Sequence, residues 1–238
     1  MASWAAGTDP LVRIDGLRKA YGSQTVLRGV DFELGARERV AIMGPSGSGK
    51  STLLNCLAGL EDPDSGRIRF MGQDLGTLGE AAVTALRRQS LTSIFQFFHL
   101  LPTLSARENV EFPLLLRRDP RDERTAKVTA LLEEVGLTHR ADALPSELSG
   151  GEMQRLAIAR ALITEPALVL ADEPTGSLDS RNSERILDLL RDLTERHQTS
   201  LLMVTHDTEA SSICTRVLRM RDGLLLEDAP ESSPVLPQ

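Results

Sequence analysis

The stretch Gly44-Pro-Ser-Gly-Ser-Gly-Lys50-Ser51-Thr52 constrains this chain more than any other. It fits the pattern GxxxxGK[ST] and stands between a β-like apolar run, Arg39–Met43, and a helical period carrying Leu53, Leu54, Leu57 and Leu60. Strand, glycine-rich loop and helix in that order are the context the pattern needs to act as a phosphate cradle. Gly44, Gly47 and Gly49 permit a backbone whose successive N–H groups converge on an anion. The helix opening near Lys50 adds its N-terminal partial positive charge. Lys50 supplies a full charge for β- and γ-phosphate oxygens, and the Ser51 hydroxyl can ligate Mg2+. Pro45, Ser46, Ser48 and Thr52 complete the loop.

A concentrated device of this kind is needed because the chain as a whole is acidic. Its 34 Asp and Glu outnumber 27 Lys and Arg, a net charge of −7. That field repels phosphates and excludes a basic nucleic-acid footprint, so no nucleic-acid partner is expected. At 238 residues the chain is long enough for one large domain or two small ones with a full core. The longest apolar runs, such as Ala167–Ala171, fall far short of the ~18 residues of a membrane span, so direct membrane insertion is not expected. Met1–Pro10 has no basic residue before an apolar stretch and does not read as a secretory leader. Cys56 and Cys214 lie far apart and read as buried thiols in a reducing compartment. The four His are scattered, giving little support for zinc. A cytoplasmic protein is expected.

Leu11–Leu17, Val30–Leu34, Arg39–Met43 and Arg67–Phe70 read as strands. From Phe97 to about Ile163 the pattern is almost entirely helical, with Val128, Leu131, Leu132 and Val135 on one face before a stop at Gly136. Two continuous apolar runs follow, Ala167–Ala171 and Leu201–Val204, separated by a helix with Ile186, Leu189, Leu190 and Leu193 on its face. Apolar strands on either side of a helix signal a buried parallel sheet. The mixed charges of Arg117–Lys127 read as a solvated loop and helix start.

Two further constellations carry chemistry. Asp172 and Glu173 end the buried run Leu168–Ala171. At that edge Asp172 can hold a Mg2+ shell, while Glu173 points elsewhere and can polarise a water. Ser149-Gly-Gly-Glu152 has the S-x-x-E spacing of a capping box. A helix that needs only a cap gains nothing from two opening glycines, because Gly costs up to ~1 kcal/mol relative to Ala. Bare N–H groups there suit the close approach of an anion, making this helix a second anion device.

Taken together, the Lys50 motif, Leu148-Ser-Gly-Gly-Glu-Met-Gln154, Asp172-Glu173, Ser177-Leu178-Asp179 and Thr205-His206-Asp207 resemble the nucleotide-binding domain of ATP-binding-cassette (ABC) proteins. The match runs from about Leu11 to Glu227, and the Leu-Ser-Gly-Gly signature is specific to that family. Gln96-Phe-Phe-His-Leu-Leu-Pro102 and Ala171-Asp-Glu-Pro-Thr-Gly176 are similar to its lipoprotein-releasing and macrolide-exporting branches. The resemblance implies an α/β phosphate-loop NTPase core with a mostly parallel sheet and an N-terminal antiparallel β portion. A single domain over 11–227 would carry an inserted helical subdomain at 97–163, with flexible tails at 1–10 and 228–238.

It also implies roles. Tyr21 would stack on adenine. Gln96 would reach Mg2+ and the attacking water while sensing a membrane partner. Glu173 would be the catalytic base, and His206 with Lys50 would stabilise charge on the γ-phosphate. Asp179 would communicate between protomers, and Ser149, Gly150 and Gly151 would cap the γ-phosphate bound by a second copy. The expected assembly is a head-to-tail homodimer around two ATP with Mg2+, attached to an integral membrane permease at the cytoplasmic face of the inner membrane. The aromatic-rich stretch Phe95–Pro113 would supply a groove for that permease. An FtsE-like ATPase signalling through an FtsX-type membrane protein, without moving a solute, is the alternative.

Overall fold

Residues 9–227 are described by a computed structural model of the chain. The tails expected at 1–10 and 228–238 lie outside the described residues, apart from Asp9 and Pro10. β1 (Val12–Tyr21) and β2 (Gln24–Leu34) form a hairpin, and β3 (Arg39–Met43) leads through the glycine-rich loop into α1 (Lys50–Leu57). β4 (Ser65–Phe70), β5 (Gln73–Asp74), α2 (Glu80–Gln89) and β6 (Leu91–Phe95) follow. Three helices come next: α3 (Ala106–Arg117), α4 (Arg121–Glu134) and α5 (Gly150–Leu162). β7 (Leu168–Asp172), α6 (Ser180–Arg196), β8 (Ser200–Thr205) and a short α7 (Thr208–Ser211) precede the closing hairpin of β9 (Arg216–Arg221) and β10 (Leu224–Glu227).

The apolar strands build a six-stranded sheet in the order β10-β9-β3-β8-β7-β6. Its pairs β3·β8, β3·β9, β7·β8 and β6·β7 are parallel, and only β9·β10 is antiparallel. A second, wholly antiparallel sheet has the order β2-β1-β4-β5. The two-residue side-chain period divides the parallel strands between two cores. Ala41, Val169, Ala171, Leu201 and Met203 face one core with α3, α4, α5 and α6. Val40, Ile42, Leu168, Leu170, Leu202 and Val204 face the other, with the N-terminal sheet and α1. Burial on both faces is why these strands are continuously apolar.

Several elements depart from the sequence-based expectation for identifiable reasons. β1 and β2 are longer than Leu11–Leu17 and Val30–Leu34, because register shifts near Ile14, Leu17 and Lys19 break the alternation. α2 has no fully buried residue; only the half-buried Val83 and Leu86 mark its inner face, with Leu86 against the second core, too short a stripe to read. Phe97–Ser105 is a loop, not helix, and Phe98 and His99 take left-handed backbone (φ 60° and 48°). Gly136 stops α4 as expected, with φ 68°. Cys56 sits in the second core and Cys214 packs against the first. Burial pushes their thiols up to about 11 and about 12, which leaves both protonated at neutral pH.

The loop before α3 is tied down by a fully buried Asn109. Its Oδ1 accepts from the Leu101 N–H at 2.8 Å, and its Nδ2 donates to the Leu101, Leu104 and Ser105 carbonyls. Asn109→Ala strands these buried groups, with an expected cost of about 3 kcal/mol and a Tm lower by roughly 6–12 °C. Thermal unfolding of the variant checks this.

Candidate active site

Parallel pairing aligns the C-terminal ends of four strands. Phe95 pairs with Asp172, Asp172 with Val204, and Met43 with Thr205. The residues that leave these ends, Gly44, Gln96, Glu173 and His206, therefore emerge along one edge, where open α/β sheets bind their ligands. There Gln96, Glu173 and His206 border a cavity of about 710 Å3, which Gly44 and Pro45 do not line. Ser46, Gly47, Gly49, Lys50, Ser51, Thr52, Gln96, Asp172, Glu173 and His206 all line it.

α1 begins without a side-chain cap and without an acidic residue in its first turn. Its cap residue, Gly49, has φ 107°, a conformation that a side chain would strain. Gly44 is fixed by a different constraint: an added Cβ would collide with the Met220 carbonyl. The N–H groups of the first turn are thus open to the cavity, as an anion requires. Lys50 is buried, and its Nζ donates to the Gly44 and Pro45 carbonyls at 2.9 and 3.0 Å. Ser48 is also buried and does not line the cavity; its carbonyl accepts from Gly223 N–H.

Ser51 Oγ donates to Asp172 Oδ1 at 3.2 Å, linking the loop to β7. Burial is the main cause that raises the Asp172 carboxyl above its ordinary range; adjacent Glu173 raises it further, while the Ser51 bond and the Lys50 charge oppose this. A carboxylate held up in that way gains most from a nearby cation. Ser51, Asp172 and the Gln96 amide offer the hard oxygen donors that Mg2+ takes, so the residues present fit that ion.

Glu173 occupies left-handed backbone at φ 48°, unusual for a non-glycine residue. Its N–H donates to the Val204 carbonyl at 3.0 Å, and its side chain turns toward β8 rather than along Asp172. Glu173 Oε2 accepts from Thr205 Oγ1 at 3.3 Å, and Oε1 lies 2.8 Å from His206 Nδ1. The imidazole remains 70% exposed. A carboxylate on Nδ1 orients the ring with Nε2 outward.

Gln96 is placed by Ser177, whose Oγ donates to the Gln96 carbonyl at 2.9 Å across 81 residues of sequence. The Gln96 side chain packs over Gly176, where an added Cβ would have to displace its amide. Thr205 and Ser177 stand in two of the quoted motifs, but the sequence assigns them no positioning role because their partners are distant in the chain. Gln24, Val26, Phe95, Phe97 and His99 also line the cavity without having been singled out for it.

Five predicted residues outside the loop lie elsewhere. Tyr21 does not line the cavity; it stands at the end of β1, 48% exposed, with its hydroxyl on Glu61. Ser149, Gly150 and Gly151 open α5 away from it. There Glu152 Oε2 accepts from the Ser149 N–H and Oγ at 2.9 and 2.8 Å, closing the expected capping box. These bonds hold the Glu152 carboxyl below its ordinary range. The N–H groups of Gly150 and Gly151 have no intrahelical acceptor by geometry. Asp179 caps α6, accepting from the Asn182 N–H at 2.9 Å.

Residues 27–176 match the family model described as "ABC transporter". The chain is 51% identical over 205 residues to the lipoprotein-releasing system ATP-binding protein LolD of Pseudomonas syringae pv. tomato, covering 86% of this chain and 90% of that protein. The LolD of Pseudomonas fluorescens is 50% identical over 204 residues, with 86% and 90% covered. Among solved structures, a dimeric ATP-binding cassette in a post-hydrolysis state with ADP and Pi has a TM-score of 0.82 at 36% identity, covering 92% of this chain and 99% of that one. CbiO1 of Clostridium perfringens, part of the transporter complex CbiONQ, has a TM-score of 0.84 at 29% identity, with 92% and 87% covered. The chain belongs to the ABC transporter family. It is an ATP-hydrolysing subunit of that family, and the post-hydrolysis cassette it resembles is a dimer.

Proposed function

We propose that this ATPase drives a membrane permease of the lipoprotein-release type from the cytoplasmic face of the inner membrane. The observation that carries the chemistry is the pair of contacts on one cavity, Ser51 with Asp172 and Glu173 with His206. The similarity to LolD proteins over most of both chains supports the transport reading over the signalling one.

In this reading the α1 N–H groups and Lys50 hold the triphosphate, with Lys50 exchanging two neutral carbonyl acceptors for anionic oxygens. Mg2+, when bound, neutralises charge on the β- and γ-phosphoryl oxygens. Ser51, Asp172 and Gln96 are the residues that would hold it. Glu173 accepts a proton from the attacking water, and His206 Nε2 faces the transferred group. Ser149, Gly150 and Gly151 of a second, head-to-tail copy complete each site, so that ATP joins the two copies. Tyr21 stacks on the base, and Asp179 lies toward the other copy.

The permease side is supported by an unpartnered apolar surface. Phe97 is 69% exposed, and Phe112, Leu115 and Leu116 form an exposed i, i+3, i+4 stripe on α3. Leu115→Ser with Leu116→Ser is expected to abolish co-purification with the permease and ATP-dependent lipoprotein release in reconstituted vesicles, leaving basal hydrolysis intact. Undiminished release would remove α3 from the docking surface, and vesicles of the wild-type complex that release no lipoprotein would overturn the substrate assignment.

No helix among the described residues is long and apolar enough to cross a membrane. Attachment to the membrane therefore rests, in this reading, on the permease.

A further inference from the structure

An exposed aromatic ring at a hairpin end ordinarily samples several rotamers. Tyr21 closes the β1–β2 hairpin opposite Gln24, beside Gly22 with φ 60°. Its hydroxyl nonetheless donates to Glu61 Oε2, from the turn that follows α1. The other oxygen of that carboxylate, Oε1, accepts from Asn55 Nδ2 at 2.9 Å, and Asn55 belongs to α1 itself. The Glu61 N–H in turn reaches the Asn55 carbonyl at 3.3 Å. Lys19 Nζ lies 5.6 Å over the centroid of the Tyr21 ring and donates to the Asp62 carbonyl at 2.6 Å. Thr52, which lines the cavity, adjoins the phenol oxygen. The ring is therefore held outside the cavity lining but next to Thr52, with its hydroxyl on Glu61, one face under an ammonium group and about half of its surface in solvent.

We infer that Glu61 is a positioning residue for the nucleotide base: its carboxylate clamps the Tyr21 phenol to the helix that carries Lys50 and Ser51. The inference rests on the reading of Tyr21 as the residue that stacks on the base. A ring fixed before binding loses less conformational freedom when a base stacks on it, so the clamp acts on affinity for the nucleoside part of ATP. The phosphate cradle does not depend on it. The same contact, chiefly its hydrogen bond, holds the phenol above its ordinary titration range and the Glu61 carboxyl below its own.

Glu61→Gln tests the clamp in the full-length chain. ATP affinity is expected to fall about three- to tenfold, while the affinity for inorganic tripolyphosphate, which has no base, stays unchanged. Tyr21 is the only tyrosine, so tyrosinate absorbance reports it alone; its titration midpoint is expected to drop toward the ordinary value in the variant. In a Tyr21→Leu background Glu61→Gln adds nothing to the ATP effect. If Tyr21→Leu itself binds ATP as the wild type does, the stacking reading fails. If Tyr21→Leu weakens ATP binding but Glu61→Gln does not, the clamp alone is overturned. Equal weakening of ATP and tripolyphosphate by Glu61→Gln also overturns it, because Glu61 would then support the cradle rather than the ring.

Discussion

Glu173→Gln is expected to retain ATP binding while losing turnover by about 10²–10⁴-fold, the range that a general base contributes. The amide keeps the size of the side chain and can still bond Thr205 and His206, so the backbone at φ 48° has no reason to relax. What it loses is the capacity to accept a proton from water. With hydrolysis blocked and binding intact, ATP that bridges two copies is no longer consumed, and the nucleotide-bound dimer accumulates. Size-exclusion chromatography with and without ATP, beside single-turnover hydrolysis, checks both parts. Near-normal turnover would remove Glu173 from the role of base.

Lys50→Ala has the opposite signature. Removing the cation from the cradle is expected to weaken ATP binding by about 2–4 kcal/mol, or roughly 30- to 1,000-fold in Kd. The chain without nucleotide should not lose stability. Lys50 is a buried cation whose hydrogen bonds go to two neutral carbonyls, an arrangement that only partly offsets its desolvation. Calorimetric titration with ATP and thermal unfolding without it separate the two effects. A variant that binds ATP normally would refute the cradle, and one that unfolds would make Lys50 a structural residue instead.

What could be read in the sequence was local. The phosphate loop, the Asp172-Glu173 pair and the Ser149-Gly-Gly-Glu152 cap are contiguous, and each acts through backbone geometry or a strand end set within a few residues. The parallel strands were legible because burial on both faces makes Leu168–Ala171 and Leu201–Val204 continuously apolar. What could not be read depends on contacts far apart in the chain. Thr205 and Ser177 are ordinary hydroxyl residues until β7·β8 pairing and the turn after β7 bring them to Glu173 and Gln96. Glu61 sits in an acidic turn and becomes notable only when Tyr21 arrives from 40 residues away. The aromatic stretch from Phe97 looks helical by composition. It is loop because Asn109 satisfies its backbone and because Arg160, on α5, takes the carbonyls of Phe98 and His99 at 2.8 and 2.6 Å. Asp179 shows the converse: its place in a family motif says nothing of the helix cap it makes.

The separation of Ser149 from the cavity within one chain is the feature on which the dimeric engine depends. A crystal structure of the Glu173→Gln protein with ATP and Mg2+ measures it directly. The γ-phosphate is expected within hydrogen-bond reach, roughly 3.5 Å or less, of Lys50 from one copy and of the Ser149 hydroxyl and Gly151 N–H from the other. A triphosphate enclosed by a single chain, with Ser149 of either copy facing solvent, would contradict it.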